Sequence, residues 1–281
     1  MRINISFSFL AFGLLVLFPI GVISQNKIQV QNLEMNVGSK MKIVKEELLH
    51  GAIAETRIEH ITLIGPVSKK LVLPADSTSI LLFIKGNATL KTGKKKYGIV
   101  PESIALPFSY NNITIYVPKE ETLHFVVFTK KISEQDKADF KSFPAENRYD
   151  IYFTKFSDCE PYTEKIKSPN TVSRTVLRAD IVPRVSLGTV ETKGPDAVGA
   201  HEHPMLEQLF LGLSGNDIVV YADDKTAELK EFSLLHIPLG STHWATVGEG
   251  KKMYYMWMDF FLTKEGQEWL KTHKPISKKM N

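Results

Sequence analysis

The chain contains the same short unit twice, and this repeat constrains its fold more than any other feature of the sequence. In each copy an apolar run ends at a Gly-Asn turn, at Gly86 and at Gly215. A proline-bearing segment follows in both copies, with Pro107 and Pro238 at matching places. The glycines are 129 residues apart and the prolines 131. Short apolar runs between Gly, Pro and Asn turns, repeated at this period, predict two tandem domains built from β-strands.

The second copy carries a group of histidines that the first copy lacks. His201 and His203 are two residues apart, and alternate side chains of a strand point to the same side. Gly215 and the Pro-x-Gly at 238–240 are typical of turns, which would return His243 to that face. Imidazole nitrogen is the usual ligand for Zn, Cu, Fe and Ni, and two His with an oxygen donor also suit Mn. The spacing therefore predicts one divalent metal ion (Mn, Fe, Zn, Ni or Cu) in the second copy.

These residues resemble the two sequence motifs of the cupin superfamily. The first, Gly-x5-His-x-His-x(3,4)-Glu-x6-Gly, is met from His201 to Gly215, with its leading Gly displaced. The second, Gly-x5-Pro-x-Gly-x2-His, is met from Pro238 to His243, with Phe232 in place of its leading Gly. Two ordered motifs are a more specific signal than a lone His-x-His. The resemblance implies an all-β fold of two tandem cupin-type jelly-roll β-barrels, with a germin-like metal motif in the C-terminal barrel.

The fourth ligand of such a site lies at position 207 or 208. The forward count from His203 allows both Glu207 and Gln208, whereas the count back from Gly215 allows only Gln208. Strand alternation places one of the two neighbours on the metal side, and a three-His, one-Glu site with Glu207 stays open as the alternative. The predicted ligands are His201, His203, Gln208 and His243.

A glutamine ligand would leave the charge of the metal uncompensated, because imidazole and amide ligands are neutral. Such a site favours Lewis-acid chemistry on a carbonyl or hydroxyl group. Cupins with three His and one Gln include enzymes that open the ring of unsaturated uronic acids and some sulfoniopropionate lyases. The resemblance thus implies a metal-dependent enzyme acting on a small oxygen-rich substrate such as a sugar acid, by isomerisation, ring opening or elimination. A metal-dependent dioxygenase and a non-catalytic binding protein are the alternatives.

Other residues near the motifs have no assigned role, and the sequence identifies no catalytic acid or base. His236 either lines the cavity or makes a structural hydrogen bond. Alternation sends Tyr255 and Trp257 to the same face of the last strand, where aromatic walls suit sugar rings, although aromatic side chains on strands usually form core.

The first copy lacks the ligand set. Carried back by the repeat, the four ligand positions include two residues that bind no metal through a side chain. We therefore predict a degenerate, metal-free N-terminal barrel. The four corresponding positions are Val72, Pro74, Ser79 and Asn112.

The N-terminus predicts export. Residues 6–24 form an apolar run behind Arg2, with Pro19 late in the run. This pattern is typical of a signal peptide cleaved near Ser24–Gln25, which would give a secreted or periplasmic protein. A retained membrane anchor is the alternative, and the polar stretch that starts at Gln25 favours cleavage.

Two helices are predicted outside the barrels. Ser133 is a good N-cap with acidic residues in the next turn, so a linker helix is expected to run from there and stop before Pro144. A final helix is expected from Thr263 to His273, and the rest of the linker is expected to be an irregular crossover. The predicted division is a signal peptide at 1–24, an N-terminal degenerate cupin domain at 25–135, a linker at 136–175 and a C-terminal metal-binding cupin domain at 176–281.

Charge and cysteine content limit the partners. The formal net charge is +4, and lysines gather at 91–96 and 271–279 without interleaved aromatic residues, so no nucleic-acid partner is predicted. Cys159 is the only cysteine, which excludes an intramolecular disulfide. The predicted partner is a small-molecule substrate. No stable membrane association is expected after signal cleavage, and a homodimer is left open.

Overall fold

A computed structural model of the chain describes residues 27–38 and 41–270. The predicted signal peptide lies outside the described residues. Within the described ranges, 21 strands form four antiparallel sheets, accompanied by two α-helices. Neither of these helices is both long and apolar enough to cross a membrane. The predicted all-β fold of two tandem barrels is confirmed.

Ten strands build the N-terminal barrel. Their bounds are β2 (Ile43–Glu47), β3 (Thr56–Ile64), β4 (Val67–Val72), β5 (Ser77–Lys85), β6 (Ala88–Thr92), β7 (Lys95–Ile99), β8 (Ser103–Leu106), β9 (Asn112–Val117), β10 (Thr122–Lys131) and β11 (Tyr152–Lys155). They form a six-stranded sheet in the order β11-β8-β5-β10-β3-β2 and a four-stranded sheet in the order β4-β9-β6-β7. The two sheets enclose one apolar interior, as in a jelly roll.

Eleven strands build the C-terminal barrel. Their bounds are β1 (Gln29–Asn32), β12 (Pro161–Tyr162), β13 (Val172–Leu177), β14 (Val185–Lys193), β15 (Asp196–His201), β16 (Leu206–Gly212), β17 (Asp217–Ala222), β18 (Lys225–Lys230), β19 (Ser233–Ile237), β20 (His243–Val247) and β21 (Lys252–Phe261). The large sheet has the order β1-β19-β16-β21-β14-β13-β12 and the small sheet β15-β20-β17-β18.

The internal repeat is visible strand by strand. The nine strands β2–β10 recur as β13–β21, and the start of each is shifted by 129 to 131 residues. The matching turns have the same backbone shape, with φ of +88° at Gly86 and +77° at Gly215. Glycine adopts this left-handed conformation without the steric cost that a Cβ would add. The repeat in the sequence therefore corresponds to two copies of one barrel.

Each barrel has an edge strand that comes from outside its nine repeated strands. β1 precedes the N-terminal barrel in the chain, yet it pairs with β19 of the C-terminal barrel. β11 precedes the C-terminal barrel and pairs with β8 of the N-terminal barrel. Residues of the predicted N-terminal domain thus complete the sheet of the other barrel, and the two barrels are tied together by backbone hydrogen bonds.

Side-chain alternation divides the apolar residues into three layers. In β5, Leu81 faces the interior of the N-terminal barrel and Leu82 faces a layer that lies between the two large sheets. In β16, Phe210 faces the interior of the C-terminal barrel and Leu209 faces the same shared layer. Since β16 carries position 208, this alternation decides which of its neighbouring polar residues enters the C-terminal barrel.

Both predicted helices are present. The linker helix α1 (Glu134–Ser142) begins with a capping box in which the Ser133 side chain accepts from the backbone N–H of Asp136. The second helix, α2 (Lys264–Leu270), overlaps the predicted final helix, whose predicted end at His273 lies outside the described residues. The crossover between α1 and β13 is more ordered than predicted, because it contains β11 and β12.

Candidate metal centre

Three histidines converge in the C-terminal barrel. His201 ends β15 and is the cross-strand partner of His243 at the start of β20, while His203 follows in the next turn. All three side chains are buried, and one ring nitrogen of each lies within 4.8 Å of the others. The ring centroids of His201 and His243 are 4.3 Å apart. The structure thus brings together the three histidines that the sequence motifs singled out.

Backbone carbonyl groups set the orientation of two of these rings. Nδ1 of His201 lies 2.7 Å from the carbonyl oxygen of Gly199, and Nδ1 of His243 lies 3.1 Å from that of Ser241. A carbonyl oxygen only accepts, so each Nδ1 carries the proton and donates it. The neutral ring then presents Nε2 as the ligand atom, the arrangement in which a histidine binds a metal with its second nitrogen held by the protein.

Gln208 supplies an oxygen to the same space. Gln208 on β16 is paired across the sheet with Asp259 on β21, and its Nε2 donates to Asp259 Oδ1 over 2.8 Å. This hydrogen bond leaves Oε1 as the other polar atom of the amide. That oxygen is buried and has no hydrogen-bond partner within the described part of the chain. A buried acceptor without a partner is costly, and a metal ion would satisfy it, so the donor set fits a divalent cation.

Glu207 points away from this site. Its Oε2 lies 2.9 Å from Nε2 of His236, which is buried on the outer face of the large sheet. His236 therefore makes a structural contact, and it does not line the cavity that contains His201, His203 and Gln208. The placement of Gln208 inside and Glu207 outside agrees with the register count, while metal binding by Gln208 stays a prediction.

His201, His203 and Gln208 line a cavity of about 480 Å³, and His243 lies behind them. Phe210, Tyr255 and Trp257 form aromatic walls, so alternation on β21 places Tyr255 and Trp257 on one face as expected. Gly188 makes room for the indole, since a Cβ there would lie 2.3 Å from Trp257. Among the lining residues, Asp259 was not predicted from the sequence, although the same alternation from Tyr255 and Trp257 reaches it.

Part of the wall comes from the crossover, which sequence reasoning left without a function. Residues 161–168, named the strap here, place Tyr162, Glu164 and Lys167 on the cavity. The strap is held against β15 by a hydrogen bond of 2.6 Å from the backbone N–H of Gly199 to the carbonyl of Ile166. Gly199 thus binds the strap through its N–H and His201 through its carbonyl group. The strap and the metal centre share one short piece of backbone.

The strap carries an ion pair between a buried lysine and a partly exposed glutamate. Lys167 Nζ lies 2.6 Å from Glu164 Oε2 and donates to Ser173 Oγ over 2.8 Å. Burial lowers the pKa of Lys167, and the neighbouring Glu164 carboxylate opposes that shift. Burial also raises the pKa of Asp259 to about 7, an effect that the hydrogen bond from Gln208 reduces and Glu164 increases. The cavity therefore combines His201 and His203 with two carboxyl groups and two ammonium groups, since Lys165 lines it as well as Lys167.

In the N-terminal barrel, two of the four positions predicted to correspond to the metal ligands are wrong. Val72 is 78% exposed and Asn112 is also exposed, so neither side chain faces the barrel interior. The paired, inward-facing residues are Leu71 and Ile113. A register shift in β15, between Val198 and His201, explains the error, because a fixed offset ignores it. Hydrocarbon side chains thus occupy the places where the C-terminal barrel has His201 and His243.

Solved structures share this fold at low sequence identity. The cupin 2 conserved barrel domain protein from Leptotrichia buccalis has a TM-score of 0.56 and 12% identity, over 83% of this chain and 96% of that chain. Oxalate decarboxylase from Lactobacillus farciminis, in a formate complex, has a TM-score of 0.61 and 10% identity, over 86% and 90%. Procruciferin, an 11S globulin from Brassica napus, has a TM-score of 0.62 and 9% identity, over 88% and 87%. No family model and no curated protein matches the sequence.

These likenesses concern the fold, which is shared by an enzyme and a globulin. The chain has the cupin fold twice, in the two-domain arrangement called a bicupin. Its C-terminal barrel brings together His201, His203 and His243, which can hold a metal ion. Fold alone does not select a reaction, because the reaction depends on the residues of the site.

Proposed function

We propose that the protein is a metal-dependent enzyme whose C-terminal barrel acts on a small oxygen-rich molecule, such as a sugar acid. The observation that carries this proposal is the convergence of three buried histidines with the buried, partnerless Oε1 of Gln208 beside a cavity in the barrel. Purely structural residues do not require such a set of aligned donors. The cavity, at about 480 Å³, lies in the size range of small-molecule sites.

The ligands are His201, His203, Gln208 and His243. A divalent ion held by these residues would supply Lewis acidity towards a carbonyl or hydroxyl oxygen of the substrate. The ligands themselves are neutral, so they do not reduce the positive charge presented to the substrate.

The surrounding residues position the site and give it an aromatic wall. Asp259 accepts from the Gln208 amide and keeps its oxygen directed at the histidines. Phe210, Tyr255 and Trp257 provide an apolar wall on which a sugar ring can stack. This environment favours isomerisation, ring opening or elimination, all of which develop negative charge on a substrate oxygen.

Elemental analysis and an oxygen-controlled assay test the proposal. We expect the purified protein to hold one divalent metal ion per chain and to convert members of an uronate and oligosaccharide panel, read by mass and absorbance, with or without oxygen. Product that forms only with oxygen would indicate a dioxygenase instead. One tightly held ligand without any product would indicate a binding protein, and absence of metal from the protein would contradict the proposal itself.

We further propose that the mature protein acts in the periplasm or outside the cell. The apolar run at 6–24 and the polar residues from Gln25 onward support this placement. Mass spectrometry of the exported fraction should show a chain that begins near Gln25. A full-length chain retained in the membrane would contradict it.

A further inference from the structure

Lys167 is an unusual residue to find in the wall of this cavity. Its side chain is only 5% exposed, and a buried ammonium group loses much of its hydration. An ammonium group has three N–H donors. Glu164 and Ser173 engage two of them, and no third partner is present among residues 27–38 and 41–270. Because Lys167 lines the cavity, its remaining donor is available to a bound molecule.

Glu164 fixes the position of the Lys167 ammonium group without fully neutralising its charge. The Glu164 side chain is 36% exposed, so part of its charge is screened by solvent, whereas Lys167 is buried. Lys165 adds a second ammonium group to the same strap. Together with the proposed divalent ion, these lysines give the cavity an excess of positive charge even when Glu164 and Asp259 are both ionised.

The other walls do not supply a competing anion site. They are formed mainly by apolar and aromatic side chains, among them Val190, Val198 and Phe210. A substrate with a negative group is therefore drawn to two places, the metal ligands and Lys167. These two places lie on different wall elements, since the metal ligands come from the barrel and Lys167 comes from the strap.

We propose that the substrate is an organic anion whose carboxylate is bound by Lys167, while a hydroxyl or carbonyl oxygen of the same molecule faces the metal ligands. This inference rests on the proposed function and narrows it to hydroxy or keto carboxylates. Lys167 is a specificity residue, and Glu164 and Ser173 are positioning residues that aim its ammonium group. A charge-assisted hydrogen bond in a buried site discriminates strongly against a neutral analogue that cannot form it.

Calorimetric binding to two pairs of matched probes tests the proposal. Glucuronate is compared with glucose, and lactate with propane-1,2-diol, using the purified metal-containing protein. Each pair differs by a carboxylate against a neutral CH₂OH group. We expect the anion of at least one pair to bind about tenfold or more tightly than its neutral partner. Absence of an anion preference in both pairs, including absence of binding, overturns the proposal.

Two variants assign the preference to a residue. Lys167→Met keeps the aliphatic stem and should reduce the anion preference to about twofold or less. Lys155→Met, an exposed lysine on β11 outside the cavity, should keep the wild-type preference. A preference that survives Lys167→Met but disappears after chelation would assign the anion to the metal and overturn the role of Lys167. If Lys167→Met does not fold, the wild-type comparison still decides whether the substrate is an anion.

The two proposals fail in different ways. Metal content and turnover are measured separately from probe binding, and calorimetry requires no turnover. Protein that holds metal and converts substrate but prefers the neutral probes would contradict only the inference that the substrate is an organic anion bound by Lys167. Protein that lacks metal but binds anions through Lys167 would contradict only the proposed function.

Discussion

The two barrels share one strand pattern but differ in the side chains that occupy matching positions of it. In the N-terminal barrel, Ser79 on β5 is paired with Thr129 on β10. At the matching place in the C-terminal barrel, Gln208 is paired with Asp259 and joined to it by a hydrogen bond. The pairing of the strands is the same, and the chemistry of the paired residues is not.

A second difference lies in the small sheets. β4 and β9 pair Leu71 with Ile113, and both side chains pack in the apolar interior. β15 and β20 pair His201 with His243, but only after a register shift in β15 that has no counterpart in the pairing of β4 with β9. A few inward-facing positions and one register shift therefore distinguish a barrel filled with apolar side chains from a barrel with a polar cavity.

The largest effect is expected from giving the C-terminal barrel the residues of the N-terminal barrel. The double change His201→Leu and His243→Ile replaces two imidazoles by the pair that packs in the other copy. Loss of outer residues that orient metal ligands already weakens binding about 10–100-fold, so loss of two ligands should weaken it by more than about 100-fold. Metal content after identical dialysis, with thermal denaturation to check folding, measures the effect.

The matched control is in the other barrel. Leu71→Ala should leave metal content unchanged, even though the cavity it creates should lower the free energy of unfolding by about 2–5 kcal/mol. A double histidine variant that folds and retains its metal would show that the histidine pair is not the distinguishing feature.

Acid should destabilise the N-terminal barrel through a histidine pair on the outer face of its large sheet. His60 Nε2 and His124 Nδ1 are 3.2 Å apart and both rings are buried. Burial, then the nearby charges of His60 and Lys85, lowers the pKa of His124 to about 4. Burial also lowers the pKa of His60, and the nearby Glu46 carboxylate opposes that shift. The folded state therefore favours neutral rings.

The pKa of His124 is near 6.5 in the unfolded chain and about 4 in the folded protein. Between these two values the unfolded chain binds the proton more tightly, so the free energy of unfolding is highest above pH 6.5 and falls as the pH decreases towards 4. We expect His124 to account for about 3 kcal/mol of unfolding free energy over this range. Denaturant unfolding of wild type and His124→Gln at several pH values measures it. Identical pH dependence in the two proteins would rule out this origin.

A smaller effect is expected at the residue that orients the proposed glutamine ligand. Asp259→Ala removes the acceptor of the Gln208 amide and lets the amide rotate, so metal affinity should fall by about 10–100-fold. Thr129→Ala, the matching change in the N-terminal barrel, should leave metal affinity unaltered. Competition with a chromogenic chelator gives both values. Equal affinities for Asp259→Ala and wild type would mean that Gln208 is held by other contacts.

The sequence predicted the parts of this site that depend on local periodicity. Strand alternation and the spacing to Gly215 were sufficient to place Gln208 inside the barrel and Glu207 outside it. The same alternation continued along β21 would have predicted Asp259. These positions follow from the two-residue period of a strand, which is a local property.

The remaining parts depend on contacts distant in the chain. Nothing in residues 161–168 shows that the strap packs on β15, because that contact is a hydrogen bond from Gly199 to Ile166. The position of β1 is likewise set by its pairing with β19, which belongs to the other barrel. The register shift in β15 also escaped the fixed offset between copies, which led to Val72 and Asn112 instead of Leu71 and Ile113.

The most direct test of the central claim compares the two neighbours on β16. Gln208→Ala and Glu207→Ala differ by one position, and of the two residues only Gln208 lines the pockets that the three histidines line. Elemental analysis of both variants and wild type, after identical dialysis, is the measurement. We expect Gln208→Ala to lose most of its metal and Glu207→Ala to keep it, although Glu207→Ala should lose about 1–3 kcal/mol of stability because His236 is left without its partner. Metal lost from Glu207→Ala but kept by Gln208→Ala would contradict the proposed ligand set and indicate a three-His, one-Glu centre.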